Sequence, residues 1–511
     1  MRPSIRGNWS MSTWLKNSLA ASGLVFLLGA CAVGPDFTRP PAPAGARYLP
    51  RGDLPGDVTA IGQTQHFDLL QSPDADWWHL FGSAELDQWV GTAIAGNPSV
   101  QSAQASLRES QDNLRAGQGI FFPQLGVGAD ATRERPSPSM LGQHGIGSIF
   151  NLFTLSATVS YALDLFGGER RTVEGLHAEV EMQRYTMEGT YLTLTGNVVN
   201  AAIARQAYAD EIDVMHGLVS LQTQQLGLLD TRIRSGAEVY GDLLALRSAR
   251  ASNLAQLASL ELKRDQADHL LHALLGQSAG ESQLPALRFE ALHLPASLPV
   301  SLPSDLVHQR PDILAAEAQL HEASAEIGVA TAAMFPSITL GGDGGSAANA
   351  AGALGKGQNQ YWSAGADINL PVFQGGTHWY NRKAAIDAYQ KSLQDYRGTV
   401  LAAFEQVADV LKALQHDAEA LQADDEAARD AAQALALIQA NYAAGLVNYV
   451  DVLVADVQYR QSKLAYVRSL AQRYQDTVAL YVALGGGWWK APHAEAMPPS
   501  AHVTQASRAQ P

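Results

Sequence analysis

Few residues of this 511-residue chain stand in patterns that could make or break bonds. Gly276-Gln277-Ser278-Ala279-Gly280 has the spacing of a G-x-S-x-G nucleophile elbow. That chemistry needs a strand before the serine and a helix after it, which lift the hydroxyl above a sheet. Here the motif follows a helical pattern and enters a proline-rich stretch, so the serine has no elbow to sit on. His321-Glu322 begins like the zinc-binding H-E-x-x-H but lacks the second histidine. The glycines around Asp343 fall in a predicted hairpin loop rather than before a helix, so they cannot cradle a phosphate. No catalytic residue and no metal site is expected.

The remaining reactive residue is Cys31, the only cysteine. Residues 1–30 carry Arg2, Arg6 and Lys16 and then an apolar run over 19–30. That pattern reads as a signal peptide, too short to span a bilayer as a stable helix. The run closes as Leu28-Gly29-Ala30-Cys31, which resembles the bacterial lipoprotein box, where the cysteine becomes the acylated first residue. A lone thiol in an oxidising envelope has no intramolecular disulfide partner, and an acylated one needs none. A covalent lipid on Cys31 is therefore the one chemical modification the sequence predicts.

In the stretch 153–168, Phe153, Leu155, Ala157, Val159, Tyr161 and Leu163 alternate with Thr154, Ser156, Thr158, Ser160, Ala162 and Asp164. Period two fits a sheet with one buried face, and equally a barrel strand with lipid on one side and water on the other. A helical run to about residue 231 follows, far longer than an ordinary globular helix. The construction recurs at 362–376, where Trp362, Ala364, Ala366, Ile368 and Leu370 alternate with Ser363, Gly365, Asp367 and Asn369 before a second long helix. Phe122-Pro123 and Phe335-Pro336 lie 213 residues apart, as do Asp130 and Asp343. Gly236, Asp242 and Gly276 match Gly445, Asp451 and Gly485 at an offset of 209. One unit of roughly 210 residues is written twice, too long a period for a solenoid.

Each half has a further strand, through Leu125, Val127, Ala129 and Ala131 in the first and from Ile338 and Leu340 in the second, with loops at 133–150 and 341–360. Four strands cannot close a barrel, and an open edge cannot sit in lipid, where no water satisfies its backbone groups. Subunits must therefore share: two copies give eight strands with a filled interior, three give twelve and a lumen.

The long helices carry a seam. Ile386, Leu393, Val400, Val407, Leu414, Leu421, Ala428, Leu435 and Tyr442 recur at every seventh position. Val173, Val180, Met187, Leu194, Ala201, Tyr208 and Met215 do the same in the first half, followed by the polar Gln222 and Leu229. Such a repeat predicts helices that wind around neighbours. At ~1.5 Å per residue a helix of about 65 residues reaches roughly 100 Å, several bilayer thicknesses, so most of it stands in water. Each ends at a glycine, Gly236 or Gly445, expected to be left-handed, and a shorter helix returns through Leu243, Leu257 and Leu271 or through Val450, Val457, Leu464 and Val478.

The expected organisation is a signal peptide at 1–30 and an extended arm at 31–81 that tethers more than it folds. A first repeat follows at 82–283, with one helical pattern over 84–119 and a strand hairpin at about 123–164. A proline-marked connector at 284–303 leads to a second repeat at 304–487, with its hairpin at about 337–372, and to a polar tail at 488–511.

Three stretches carry a family likeness: Cys31-Ala-Val-Gly-Pro-Asp36-Phe37, Ala162-Leu-Asp-Leu-Phe-Gly167 and Tyr481-Val-Ala-Leu-Gly-Gly-Gly-Trp488. The sequence resembles the TolC-like outer-membrane factors, specifically the lipoprotein branch serving multidrug efflux pumps, over nearly the whole mature chain. The resemblance implies an α+β membrane protein: a homotrimer with one shared transmembrane β-barrel, four strands per chain, continued into the periplasm by a long α-helical coiled-coil barrel. It implies lipid anchoring in the outer membrane, and tips that meet a periplasmic adaptor (membrane fusion) protein working with an inner-membrane transporter. The duct would be a passive exit for drugs or other small molecules, with no enzymatic activity and no cofactor besides the lipid on Cys31. The alternatives are the duct of a protein secretion system and a structural coiled-coil lipoprotein, which would have no use for strands with one polar face. In the family, apolar and acidic rings narrow the tip. Val450 matches an apolar ring position and Asp451 an acidic one, while Val454 stands where relatives commonly carry aspartate. Gly236 and Gly445 are the candidate adaptor-contact turns. The net charge of −15 argues against nucleic acid and fits a solvated channel.

Overall fold

The computed structural model describes residues 32–41, 43, 47–49, 56–69, 71–135, 148–236, 239–281 and 283–490. The expected signal peptide, Cys31 and all but the start of the polar tail lie outside the described residues. The strands are β1 Val58–Ala60, β2 Gln63–Leu69, β3 Gln124–Glu134, β4 Phe150–Leu163, β5 Ser297–Val300, β6 Ser337–Ala348 and β7 Gln360–Asn369. The principal helices are α1 Ala84–Gly96, α2 Pro98–Gln118, α3 Gly168–Arg234, α4 Tyr240–Leu274, α5 Pro311–Ala332, α6 Thr377–Ala443 and α7 Tyr449–Ala483. α3 and α6 each have 67 residues, and α4 and α7 each have 35. Among the described residues, no helix is long and apolar enough to cross a membrane.

One compact unit comprises Met1–Arg39, Leu107–Gln183 and Ala316–Tyr396. It holds a four-stranded sheet in the order β3-β4-β6-β7, antiparallel throughout. The expected loop over 341–360 begins too early: β6 runs on through Gly341–Gly345 to Ala348. Glycine's poor strand propensity is overridden there because β6 is paired along both edges, to β4 and to β7.

A second unit comprises Pro40–Ser106, Arg184–Ala315 and Arg397–Pro511. Its main core gathers Trp77, Phe81, Leu86, Val198, Ile203, Tyr474 and Tyr481, with Trp77 stacked on Tyr481 at 5.3 Å. The helical seam is buried here at Val400, Val407, Leu414, Leu421, Ala428 and Leu435, and at Met187, Leu194, Ala201 and Met215. Gln222, the polar interruption, is itself only 2% exposed and accepts a 3.1 Å hydrogen bond from Asn253 Nδ2 of α4. A satisfied polar rung of this kind fixes helix register at some cost in stability.

Two expectations change in this unit. The helical pattern over 84–119 is broken at Asn97, which takes an extended ψ of 126° as the residue before Pro98 and receives Ser99 N–H on its side chain at 2.8 Å. The arm also folds more than expected. β1 and β2 form a hairpin, β2 pairs in parallel with β5 of the connector, and Val58 and Ala60 pack on Ala418 and Leu421.

Candidate functional site

The strand register assembles two continuous faces. Directly opposed residues share a face of an antiparallel sheet, so the rows can be read across the strands. One row runs Leu125, Val159, Gly342, Ala364 and the next Val127, Ala157, Gly344, Trp362. Towards the other end come Tyr161, Leu340, Ala366 and then Leu163, Ile338, Ile368. On the opposite face lie Gly126, Thr158, Asp343, Ser363 and, beside them, Gln124, Ser160, Gly341, Gly365. Among the described residues the apolar face has no cover: Trp362, for example, is 82% exposed. Such an area in contact with water would be a liability. Among the described residues β3 and β7 each have one neighbouring strand, so each presents an outer edge.

The helix hairpins close at the predicted glycines. Gly236 and Gly445 both have φ of +76°. Gly445 N–H donates to Tyr442 O at 2.9 Å and Leu446 N–H to Asn441 O at 2.9 Å, the pairing that lets a left-handed residue satisfy the last helical carbonyls. At the start of α7, Asn448 and Asp451 form a reciprocal capping box: Asp451 Oδ2 accepts from Asn448 N–H at 3.0 Å, and the Asn448 side chain accepts from Asp451 N–H. Val450 is exposed beside it, between the exposed Leu446 and Val454. The apolar spacing 446, 450, 454 is visible in the sequence, and Leu446 joins Val450 and Val454 only once the turn at Gly445 is seen. The first hairpin differs, because Val239 stands at the N-cap of α4 and provides no side-chain hydrogen bond.

The serine motif is a helix end. Gly276 N–H donates to Ala273 O at 3.1 Å and Gln277 N–H to His272 O at 2.9 Å, so this glycine closes α4 and Ser278 lies past it.

A buried ionisable group went unforeseen. Asp476 of α7 and Asp417 of α6 face each other beside Arg473, whose Nη1 donates to Leu414 O. Burial first, then the hydrogen bond and charge of Asp417, push the Asp476 carboxyl up to about 7, with Arg473 working against them. Burial also lowers the Arg473 guanidinium to about 10. Asp476 Oδ1 accepts from Gln472 Nε2 at 2.8 Å, while Oδ2 is enclosed and meets no nitrogen or hydroxyl donor among the described residues, an environment that favours the protonated carboxyl.

A strand quartet with one apolar and one polar face, carried by a chain with 67-residue helices, fits the class of outer-membrane channel proteins. The model of the outer membrane efflux protein family matches residues 89–277 and 302–486, more than half of the chain. The chain belongs to the outer membrane efflux protein family. It is 28% identical over 484 residues to the pyoverdine export outer membrane protein OpmQ of Pseudomonas aeruginosa, covering 93% of this chain and 97% of that relative. It is 28% identical over 481 residues to the toluene efflux pump outer membrane protein TtgC of Pseudomonas putida, covering 93% and 96%. Among solved structures the Campylobacter jejuni CmeC outer membrane channel superposes with a TM-score of 0.81, over 89% of this chain and 95% of that one; at 20% identity the likeness is one of fold.

Proposed function

We propose that this chain is one subunit of a homotrimeric outer-membrane exit duct of a tripartite efflux pump. The observation that carries this reading is the uncovered apolar face of the quartet together with its two unpaired edges. β3 and β7 run in opposite directions, so β7 of one copy can pair with β3 of the next and keep the sheet antiparallel. Three copies then give twelve strands, enough to leave a lumen lined by the row that holds Thr158 and Asp343. The long helices continue the duct as a periplasmic tunnel, and their tips meet an adaptor protein that couples to an inner-membrane transporter. Relatives named for pyoverdine and toluene suggest small organic molecules as cargo, selected by the transporter because the duct is passive. Reconstituted protein should migrate as a trimer and conduct in planar bilayers, and its deletion should raise cellular accumulation of pump substrates. A purified protein that is monomeric or silent in bilayers would sink the proposal.

The anchor is part of this reading. Cys31→Ser should abolish metabolic palmitate labelling and leave a precursor or mis-sorted protein, since each buried CH₂ of the acyl chains contributes ~0.8 kcal/mol to membrane binding. Label that persists in the variant would exclude Cys31 as the acceptor.

The tips serve docking and gating. Val450, with Leu446 and Val454, supplies the apolar constriction and Asp451 the acidic ring, while the turns at Gly236 and Gly445 present backbone to the adaptor. A Cβ at either glycine meets open space, so a valine there costs only backbone strain, about 1–3 kcal/mol. Gly445→Val and Gly236→Val should therefore keep the level of assembled trimer while reducing both cross-linking to the adaptor and substrate efflux. Normal cross-linking and efflux with intact trimer would make these glycines permissive turn residues only.

A further inference from the structure

In the stretch after Cys31, Ala32, Val33, Gly34, Asp36, Phe37 and Arg39 each meet a partner in the frame. Val33 N–H donates to Phe166 O at 2.9 Å. Ala32 lies so close to Gly167 that a Cβ there would come within 2.6 Å of it. Gly34, at φ +98°, lies against Gly328, and a Cβ on Gly34 would come within 2.5 Å of the Gly328 Cα. A Cβ on Gly328 would in turn meet Arg171 Cγ at 2.6 Å. Arg171 is only 5% exposed and donates through Nη2 to Asp36 at 2.6 Å and through Nη1 to Glu174 at 2.7 Å. Glu174 Oε1 lies 2.9 Å from His321 Nε2, and Phe37 stacks on the His321 ring at 4.4 Å. Arg39 Nε reaches Glu317 at 2.5 Å. Burial works to raise the Glu174 carboxyl, but hydrogen bonds from His321 and Arg171 outweigh it and hold the group below its ordinary range.

We propose that the groove between the first turns of α3 and residues 317–328 of α5 is a dedicated receptor for the chain's own segment 32–39, with Arg171 the positioning residue that holds it. A buried guanidinium needs its charge balanced, and here one carboxylate comes from the frame and one from the docked segment. The three glycines remove the side chains that would otherwise hold the two backbones apart. The consequence, which rests on Cys31 being the acylated residue, is that the anchor is registered to the turn between β4 and α3 at Phe166-Gly167 instead of hanging on slack chain. The docking itself does not depend on acylation.

The Phe37–Thr38 bond reports on docking, because chymotrypsin can cut there only when Phe37 leaves His321. Full-length protein should be digested in isolated membranes, with chains beginning at Thr38 counted by mass spectrometry. Arg171→Ala removes the fork, and Gly328→Ala pushes the Arg171 side chain off its position without changing charge. Both should speed this cut by about tenfold while cuts elsewhere keep their wild-type rates, as expected for a local opening. Arg171→Lys keeps the charge without the fork and should fall between. Unchanged cutting at Phe37 in the two alanine variants would overturn the proposal. So would uniform acceleration at all sites, which would make the groove part of the general core. The readout uses neither labelling nor transport, so it fails or succeeds independently of the efflux reading.

Discussion

Val159→Arg is expected to abolish assembled, heat-resistant oligomer, whereas Thr158→Arg, one residue earlier on the same strand, should assemble and change conductance. Val159 lies in the apolar row with Leu125 and covers Gly342, where an added Cβ would come within 2.9 Å of Val159 Cγ1. In the proposed barrel an arginine there would face lipid at a cost of roughly 2–4 kcal/mol near the midplane, incurred by every copy. Thr158 stands directly opposite Asp343 on the polar face, so an arginine there gains a cross-strand carboxylate and remains in water. Oligomer on unheated gels and single-channel conductance should be measured for both variants. Equal loss of oligomer, or equal tolerance, would mean that inside and outside are wrongly assigned.

That two-faced reading was open to the sequence because β4 alternates without a break, and β4 sits between two neighbours whose register it imposes. β6 was only half legible. Its Gly341–Gly345 run carries no hydrophobic signal, and only the ladders on both sides make it a strand. The tips were legible for a local reason: a helix that stops at glycine needs nothing distant to define it, and both glycines take the expected φ. The capping box of Asp451 with Asn448 is equally local, lying within four residues.

What stayed hidden depends on partners far apart in the chain. Residues 66–69 pair with 297–300, and strands of seven and four residues are too short to announce themselves by periodicity. The arm's dock is the same kind of case, since Asp36 meets Arg171 and Phe37 meets His321 only after three distant stretches converge. Asp417 and Asp476 each look like an ordinary solvated acid on a helix in the sequence, and their pairing depends on how α6 and α7 are rotated.

That carboxyl pair makes stability depend on pH in a direction opposite to most acids. A carboxyl whose pKa is raised in the folded state binds its proton more tightly there than when unfolded. Its stabilisation is therefore complete below the ordinary 3.8 and is lost as the pH rises through about 7. Asp476→Asn keeps the shape and reproduces the charge balance of the protonated pair, with Asp417 opposite Arg473. The variant is thus expected to be more stable than the natural chain at pH 8 by about 2–4 kcal/mol, the lower figure allowing for the proton being shared with Asp417. Near pH 4 the two should converge. Arg473→Leu works the other way: it strips the cation from the buried Asp476 carboxylate and its neighbour Asp417 and should cost about 3–5 kcal/mol at pH 8. Denaturant midpoints of the detergent-solubilised protein from pH 4 to 9 would show a falling curve for the natural chain and a flat one for Asp476→Asn. A flat curve for both, or an asparagine variant weaker at pH 8, would show that Asp476 is ionised in the folded protein and held by Arg473.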